Sequence, residues 1–152
     1  MLLSELLSED RIRVPLRSRT KDDLLRELVS LVTPGRDQAT IEAVLDAVRE
    51  RERDLSTGIG GGIAIPHGKT PVLEQLAMAA GVAAAPVDFD ALDGQPVRLF
   101  FLLVGPESSA GAHVKTLARI SRLLRRDSLR QALCDAGSPR SFLDVVQASE
   151  AA

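Results

Sequence analysis

The sequence predicts an α/β protein in which a mixed central β-sheet is sandwiched between helices, as a single domain over residues 1–152. Two apolar segments, "LAMAAGVAAAPV" and "PVRLFFLLVGP", are bounded by Gly and Pro, which suits strands buried on both faces. Segments of helical periodicity lie before and after them. No repeat, low-complexity tract or linker divides the chain, and 152 residues suffice to bury one core.

The first helix begins in "SRTKDDLLRELVSLVTPG". Thr20 can accept from an open N–H of the first turn, and Asp22 and Asp23 complement its positive end. Leu24, Leu25, Leu28 and Val32 make one apolar face, and Thr33-Pro34-Gly35 ends the run. A second helix runs from Asp37 through "QATIEAVLDAVRERE", with Ile41, Val44, Leu45 and Val48 facing inward. From Leu55 to Pro71 the period is lost. The two strand segments follow, separated by "DFDALDGQ" with a turn at Asp93-Gly94. "AHVKTLARISRLLRR" restores helical period, with Val114, Leu117, Ile120 or Ser121, and Leu124 on the inner side. Asp127 and Ser138-Pro139 open two more short helices, and Gly137 closes the first of them.

Composition removes several classes of function. The 19 basic and 21 acidic residues leave a net charge of −2, with no basic footprint for nucleic acid. Aromatic residues make up 3% of the chain, with no Trp or Tyr, which speaks against base- or sugar-stacking platforms. Cys134 is the one cysteine and shares a helical face with Leu129 and Leu133, so a packed thiol is expected. "MLLSELLSEDRIRV" reaches Glu5 and Glu9 before any long apolar run and does not read as a signal peptide. With no segment of membrane-spanning length, a cytoplasmic protein is expected, without membrane insertion.

The segment "TGIGGGIAIPHGKT", Thr57–Thr70, crowds five glycines around one of two histidines. "HGKT" has the ending of a Walker A loop, but the first glycine of that motif would fall on Ile63. A dinucleotide fingerprint begun at Gly58 or Gly60 ends on Ile63 or Ile65, so it fails too. The structural alternative is a glycine turn feeding a short strand "IAIP" with His67 at its end. The functional reading is an anion site, in which backbone N–H groups of Gly58, Gly60, Gly61, Gly62 and Gly68, with the hydroxyls of Ser56 and Thr57, converge on a ligand. Pro66 fixes the chain upstream of His67, and Gly68 leaves the downstream side open. A neutral imidazole is nucleophilic at neutral pH without a dedicated base, so such a histidine suits attack on a phosphoryl group.

"VRERERDLSTG" places Arg49, Arg51 and Arg53 before this loop. Arg49 and Arg53 read as a solvated helix end, while one arginine turned inward would fork onto phosphoryl oxygens. His113 opens a helix after the strand "LFFLLVGP", a position at which α/β proteins place ligands, and paired with His67 it is a candidate phosphate neighbour.

"RERDLSTGIGGGIAIPHGK" resembles the active-site segment of the fructose/mannitol-type enzyme IIA domains of the bacterial phosphotransferase system. The resemblance extends over nearly the whole chain through "SRTKDDLLRELVSLV", "VDFDALDGQPVRLFFLLVGP" and "HVKTLARISRLL". The opening "LSELLSEDRIRVPLRSRTKDDLLRELV", with no fused partner domain, looks most like the nitrogen-regulatory subtype, although Gly61 stands where many of those relatives have Asn. The resemblance implies a phosphocarrier. His67 would be phosphorylated on Nε2 by an HPr-like carrier protein, Arg51 would contact the phosphoryl group, and His113 would be the second active-site histidine. It also implies onward transfer to a sugar-specific enzyme IIB, or binding to regulatory target proteins according to phosphorylation.

The reading is therefore a phosphotransferase acting through phosphohistidine, in a sugar-transport or nitrogen/potassium regulatory relay. No cofactor is expected, and two histidines with one distant cysteine make a poor metal ligand set. The rival readings are a non-catalytic regulatory module that binds proteins, and a small metal-dependent hydrolase supported by the histidines alone. A carrier must present its own phosphohistidine, so a shallow protein-docking patch is expected around the loop, centred on Ile59 and Leu55 and rimmed by the arginines of "RERERD".

Overall fold

The computed structural model describes residues 2–151. Helix α1 (Leu3–Leu6) and a 3-10 turn (Glu9–Arg11) lead into strand β1 (Ile12–Leu16), and helices α2 (Lys21–Val32) and α3 (Gln38–Asp54) follow. The glycine-rich segment carries three short strands: β2 (Gly58–Gly60), β3 (Ile63–Ala64) and β4 (His67–Lys69). The long strands β5 (Ala77–Val87) and β6 (Val97–Gly105) are the two apolar runs. A 3-10 turn (Glu107–Ser109) then opens onto α4 (Ala110–Leu123), α5 (Asp127–Cys134) and α6 (Pro139–Ala151).

One mixed sheet has the order β1-β5-β6-β3-β2, with β4 paired to β6 beyond β3. β5 and β6 are antiparallel, while β1 runs parallel to β5, and β3 and β4 run parallel to β6. Pro15, which has no N–H to give a ladder, lies on the edge strand β1. Alternation along β6 between two cores explains why its sequence is apolar without a break from Leu99 to Val104. Phe100, Leu102 and Val104 face one core with Leu24, Leu28, Val44, Leu45 and Val48 of α2 and α3. Leu99, Phe101 and Leu103 face a second with Ile120, Leu129, Leu133 and Phe142 of α4, α5 and α6. A fully buried Leu or Phe contributes about 1.5–3 kcal/mol, so each face of the sheet is a substantial source of stability.

The predicted Thr20 cap forms, with Oγ1 accepting from the Asp23 N–H at 3.3 Å. Asp37, the expected start of the second helix, caps α3 by accepting on Oδ1 from the Thr40 N–H at 2.9 Å. Ser138 Oγ likewise accepts from the Ser141 N–H at 3.1 Å, and the helix it opens, α6, is 13 residues long rather than short. α5 closes on Asp135, in right-handed conformation, so Gly137 lies beyond the cap instead of forming it. Ile120 and Leu124 lie on the inner face of α4 as expected and Leu117 packs beside them, but at its N-terminal end His113 takes the place expected of Val114. His113, Thr116 and Ile120 are buried, and Val114 is 61% exposed. Reading hydrophobicity alone places valine inside; here an imidazole takes the inner position because another imidazole faces it. Cys134 packs half-buried against the second core, and burial pushes its thiol pKa up.

Candidate active site

β4 is short, and it forms where α3 lies almost directly on it. A Cβ at Gly68 would stand 3.0 Å from the carbonyl carbon of Ala47 and from the amide nitrogen of Val48, so any side chain would press on the α3 backbone, and glycine suits this approach. Strand alternation then turns His67 and Lys69 to the opposite face, toward α4. The rings of His67 and His113 meet edge to face there, with centroids 5.7 Å apart and planes at 65°. An open cleft of about 730 Å³ lies over them, walled by Glu50, Arg51, Arg53 and Asp54 of α3, by Lys69 and by Val114.

His67 Nδ1 is 2.9 Å from the carbonyl oxygen of Ile65. A carbonyl only accepts, so Nδ1 carries the proton and donates, and Nε2 keeps the lone pair. The bond is local, made to a residue two positions back across Pro66. Burial lowers the His67 pKa; the Ile65 bond acts against this, and the Arg51 charge adds to it. The ring is therefore neutral at neutral pH. His113 is 2% exposed, and among the described residues neither of its ring nitrogens has a hydrogen-bond partner. Burial first, and then the charges of His67 and Lys69, bring its pKa down to about 4. A buried polar group without a partner costs about 1–3 kcal/mol, which makes this neutral ring a candidate ligand contact.

Of the arginines, Arg51 lines the cleft and donates from Nη1 to the Leu55 carbonyl oxygen at 2.8 Å, closing the end of α3. Arg49 is turned away, held by both oxygens of Asp22 at 2.8 Å, as expected of a solvated helix end. Arg53, read in the same way, is exposed but stands on the wall of the cleft.

The glycine loop divides. Gly68 lines the cleft with His67, whereas Ser56, Thr57, Gly58, Gly60, Gly61 and Gly62 do not, and the donors of Ser56, Thr57, Gly58 and Gly61 are already engaged. The Thr57 N–H and hydroxyl both donate to the buried Glu52, whose carboxylate is paired with Lys21 at 2.9 Å. Ser56 Oγ donates to the Phe89 carbonyl and accepts from Gly58 N–H, and Gly61 N–H donates to Asp93. Gly60, Gly61 and Gly62 have φ of 98°, 68° and 78°, the left-handed region that side chains disfavour. They make the tight β2–β3 reversal, a backbone requirement that accounts for these glycines separately from the expected anion cradle. Leu55 and Ile59 are exposed, as a docking patch needs, yet Leu55 opens onto a second cleft beside Lys21 and Asp90. Beside the histidines the exposed apolar residue is Val114.

Lys69 is the cleft residue that sequence reasoning passed over, since "HGKT" was weighed only as a Walker ending. Its signal was the two-residue spacing from His67, which on a strand puts both side chains on one face. Among the described residues no group of three or more His, Cys, Asp or Glu side chains is placed to hold a metal ion. No helix among them is long and apolar enough to cross a membrane.

A helix-clad mixed sheet that presents a neutral imidazole with a free Nε2 beside a second histidine and an arginine has the makings of a phosphohistidine carrier. The chain belongs to the EIIA 2 family of the phosphoenolpyruvate-dependent sugar phosphotransferase system, whose pattern matches residues 5–149. It is 38% identical over 133 residues to a nitrogen regulatory protein of Bradyrhizobium diazoefficiens, covering 88% of this chain and 86% of that one. It is 35% identical over 146 residues to the fructose-specific EIIABC component of Bacillus subtilis. That match covers 96% of this chain but spans only 23% of the relative's length. The crystal structure of nitrogen regulatory protein IIA-Ntr from Neisseria meningitidis superposes with a TM-score of 0.86 at 29% identity, covering 95% of this chain and 98% of that one.

Proposed function

We propose that His67 Nε2 accepts a phosphoryl group from the phosphohistidine of an HPr-like carrier protein and then passes it on. The observation that carries this is the Nδ1–H bond to the Ile65 carbonyl, which leaves Nε2 as the one nucleophilic nitrogen of the ring. The Nε2 lone pair attacks phosphorus, the N–P bond of the donor breaks, and its electron pair returns to the donor imidazole. His67 thereby becomes an imidazolium, and its Nδ1–H bond to Ile65 becomes charge-assisted and stronger. His113, neutral and without a partner, donates an N–H to a phosphoryl oxygen, and Arg51 supplies positive charge from the end of α3. Positioning and electrostatics provide most of the acceleration in such transfers. The loop 56–62 contributes by holding the β2–β3 turn in place.

Of the two physiological settings, a nitrogen-regulatory relay is favoured by the near full-length similarity to IIA-Ntr. The output is then a change in binding to target proteins, and in the sugar-transport alternative it is transfer to an enzyme IIB. Incubation with phosphoenolpyruvate, enzyme I and the carrier protein tests the core of this reading. The full chain should gain the mass of one phosphoryl group, and His67→Ala should gain none. A wild-type chain that stays unmodified would identify a non-catalytic binding module instead.

A further inference from the structure

Around the two imidazoles the formal charges balance. Arg51, Arg53 and Lys69 stand against Glu50 and Asp54 on α3 and Glu107 ahead of α4, with both rings favouring the neutral form. A phosphoryl group reaching Nε2 brings about two negative charges into this cleft at neutral pH. Arg51 is occupied at rest by the Leu55 carbonyl, and Arg53 also faces the second cleft. Lys69 differs from both, because it shares a strand and a strand face with the nucleophile.

Pairing with β6 fixes that relation, with His67 opposite Leu103 and Lys69 opposite Gly105. The two Cα atoms are then about 7 Å apart, within reach of a lysine side chain folding back. The Lys69 charge is felt at both rings, lowering the pKa of His67 and of His113. At rest its Nζ stands 4.0 Å from the Glu107 carboxylate, whose side chain is 80% exposed. Ion pairs of that kind are weak and readily exchanged.

The geometry points to Lys69 as a phosphoryl-binding residue, whose ammonium leaves Glu107 and ligates an oxygen of the group entering or carried on His67 Nε2. This rests on the reading of His67 as the acceptor. Lys69 keeps its protons throughout: one N–P bond breaks on the donor, one forms at Nε2, and the ammonium donates hydrogen bonds to the transferred oxygens. Glu107 is a positioning residue that keeps the ammonium at the mouth of the cleft until a stronger anion arrives.

The test is a ³¹P NMR pH titration of the phosphorylated full chain as wild type, Lys69→Met and Lys69→Arg. In Lys69→Met the midpoint of the phosphoryl group's second ionisation should rise by about half a pH unit or more, since a nearby cation favours the dianion. Lys69→Arg should keep the wild-type midpoint. Transfer from the phosphorylated carrier should slow in Lys69→Met by about ten-fold or more, below the 10²–10³ typical of a fully buried donor. In the unphosphorylated Met variant the His67 and His113 titrations should shift upward, which also reports that the site is folded. An unchanged ³¹P midpoint in Lys69→Met overturns the proposal, and slower transfer with that midpoint unchanged would make Lys69 a docking residue only. Absence of phosphate on wild-type His67 would instead defeat the acceptor reading, and the wild-type spectrum separates the two failures.

Discussion

The Nδ1–H of His67 donates to the carbonyl oxygen of Ile65 at 2.9 Å, and this one local bond decides which nitrogen of the ring can act. Pro66, between the two, restricts the backbone at this point through its ring, and the His67 ring folds back on its own backbone. The proposed nucleophile is thus oriented by the strand that carries it, and the helices on either side add charge and a second ring.

Gly68→Ala should damage both stability and transfer. Its Cβ would meet backbone atoms of Ala47 and Val48 at 3.0 Å, and backbone cannot swing aside. Overpacking of this kind costs about 1–3 kcal/mol, and the separation of α3 from β4 would carry Arg51 away from His67. Urea unfolding together with the transfer rate checks this. A variant of wild-type stability and rate would show that the contact is not what positions the site.

Gly62→Ala should behave differently. Its φ of 78° disfavours a side chain, but no atom lies within 4 Å of the added methyl group. A loss of about 1–2 kcal/mol is expected from backbone strain alone. The transfer rate of the folded variant should stay within about two-fold of wild type, because the β2–β3 turn is outside the cleft. A large fall in rate at full folding would return the loop to the role first expected of it, as a phosphoryl cradle.

Stability should fall on acidification through His113. Its pKa is about 4 when folded, against an ordinary value of 6.5, so the unfolded chain binds this proton first. Stability is therefore intact above about pH 6.5 and is lost progressively down to the folded value, by about 3 kcal/mol in all. Urea denaturation at pH 7 and pH 4 should show this loss in wild type, in addition to that from the carboxylates, and a smaller one in His113→Asn. Equal losses in the two proteins would mean that His113 is not buried as a neutral ring. In the same variant His67 should still be phosphorylated, about 10²–10³ more slowly.

Docking should depend on Val114, 61% exposed at the wall of the cleft. Transient encounters bury little area and owe their rate to charge. Val114→Asp should raise the apparent KM for the phosphorylated carrier with little change in kcat, and higher salt should slow transfer further. An unaltered KM would move the docking surface to Leu55 and Ile59.

Much of this arrangement was legible in the residues. The first helices, the two buried strands and the His67 loop each carry a local signal: Thr20 as a cap and Asp37 as a helix start, Gly and Pro as strand bounds, Pro-His-Gly as punctuation. α1 and β1 were not legible, because a four-residue helix and a strand interrupted by Pro15 gain their stability from what they pack on. The burial of His113 in place of Val114 was hidden for a related reason. A hydrophobic stripe cannot reveal that a histidine is buried against another histidine. The glycines were correctly seen as special backbone, but a left-handed turn and an anion cradle leave the same mark in a sequence. Only the partners of the N–H groups of Thr57, Gly58 and Gly61 tell them apart.

The central claim is that Nε2 of His67 carries the phosphoryl group while Nδ1 keeps its proton for Ile65. It is tested most directly by ¹H–¹⁵N and ³¹P NMR of the phosphorylated, histidine-labelled chain at alkaline pH, where a phosphoramidate survives. The spectra should show one phosphoryl group coupled to Nε2 of His67, with Nδ1–H retained, and the signal should vanish after acid treatment. A phosphoryl group on Nδ1 of His67, on His113, or on Ser108 or Ser109 would contradict the account.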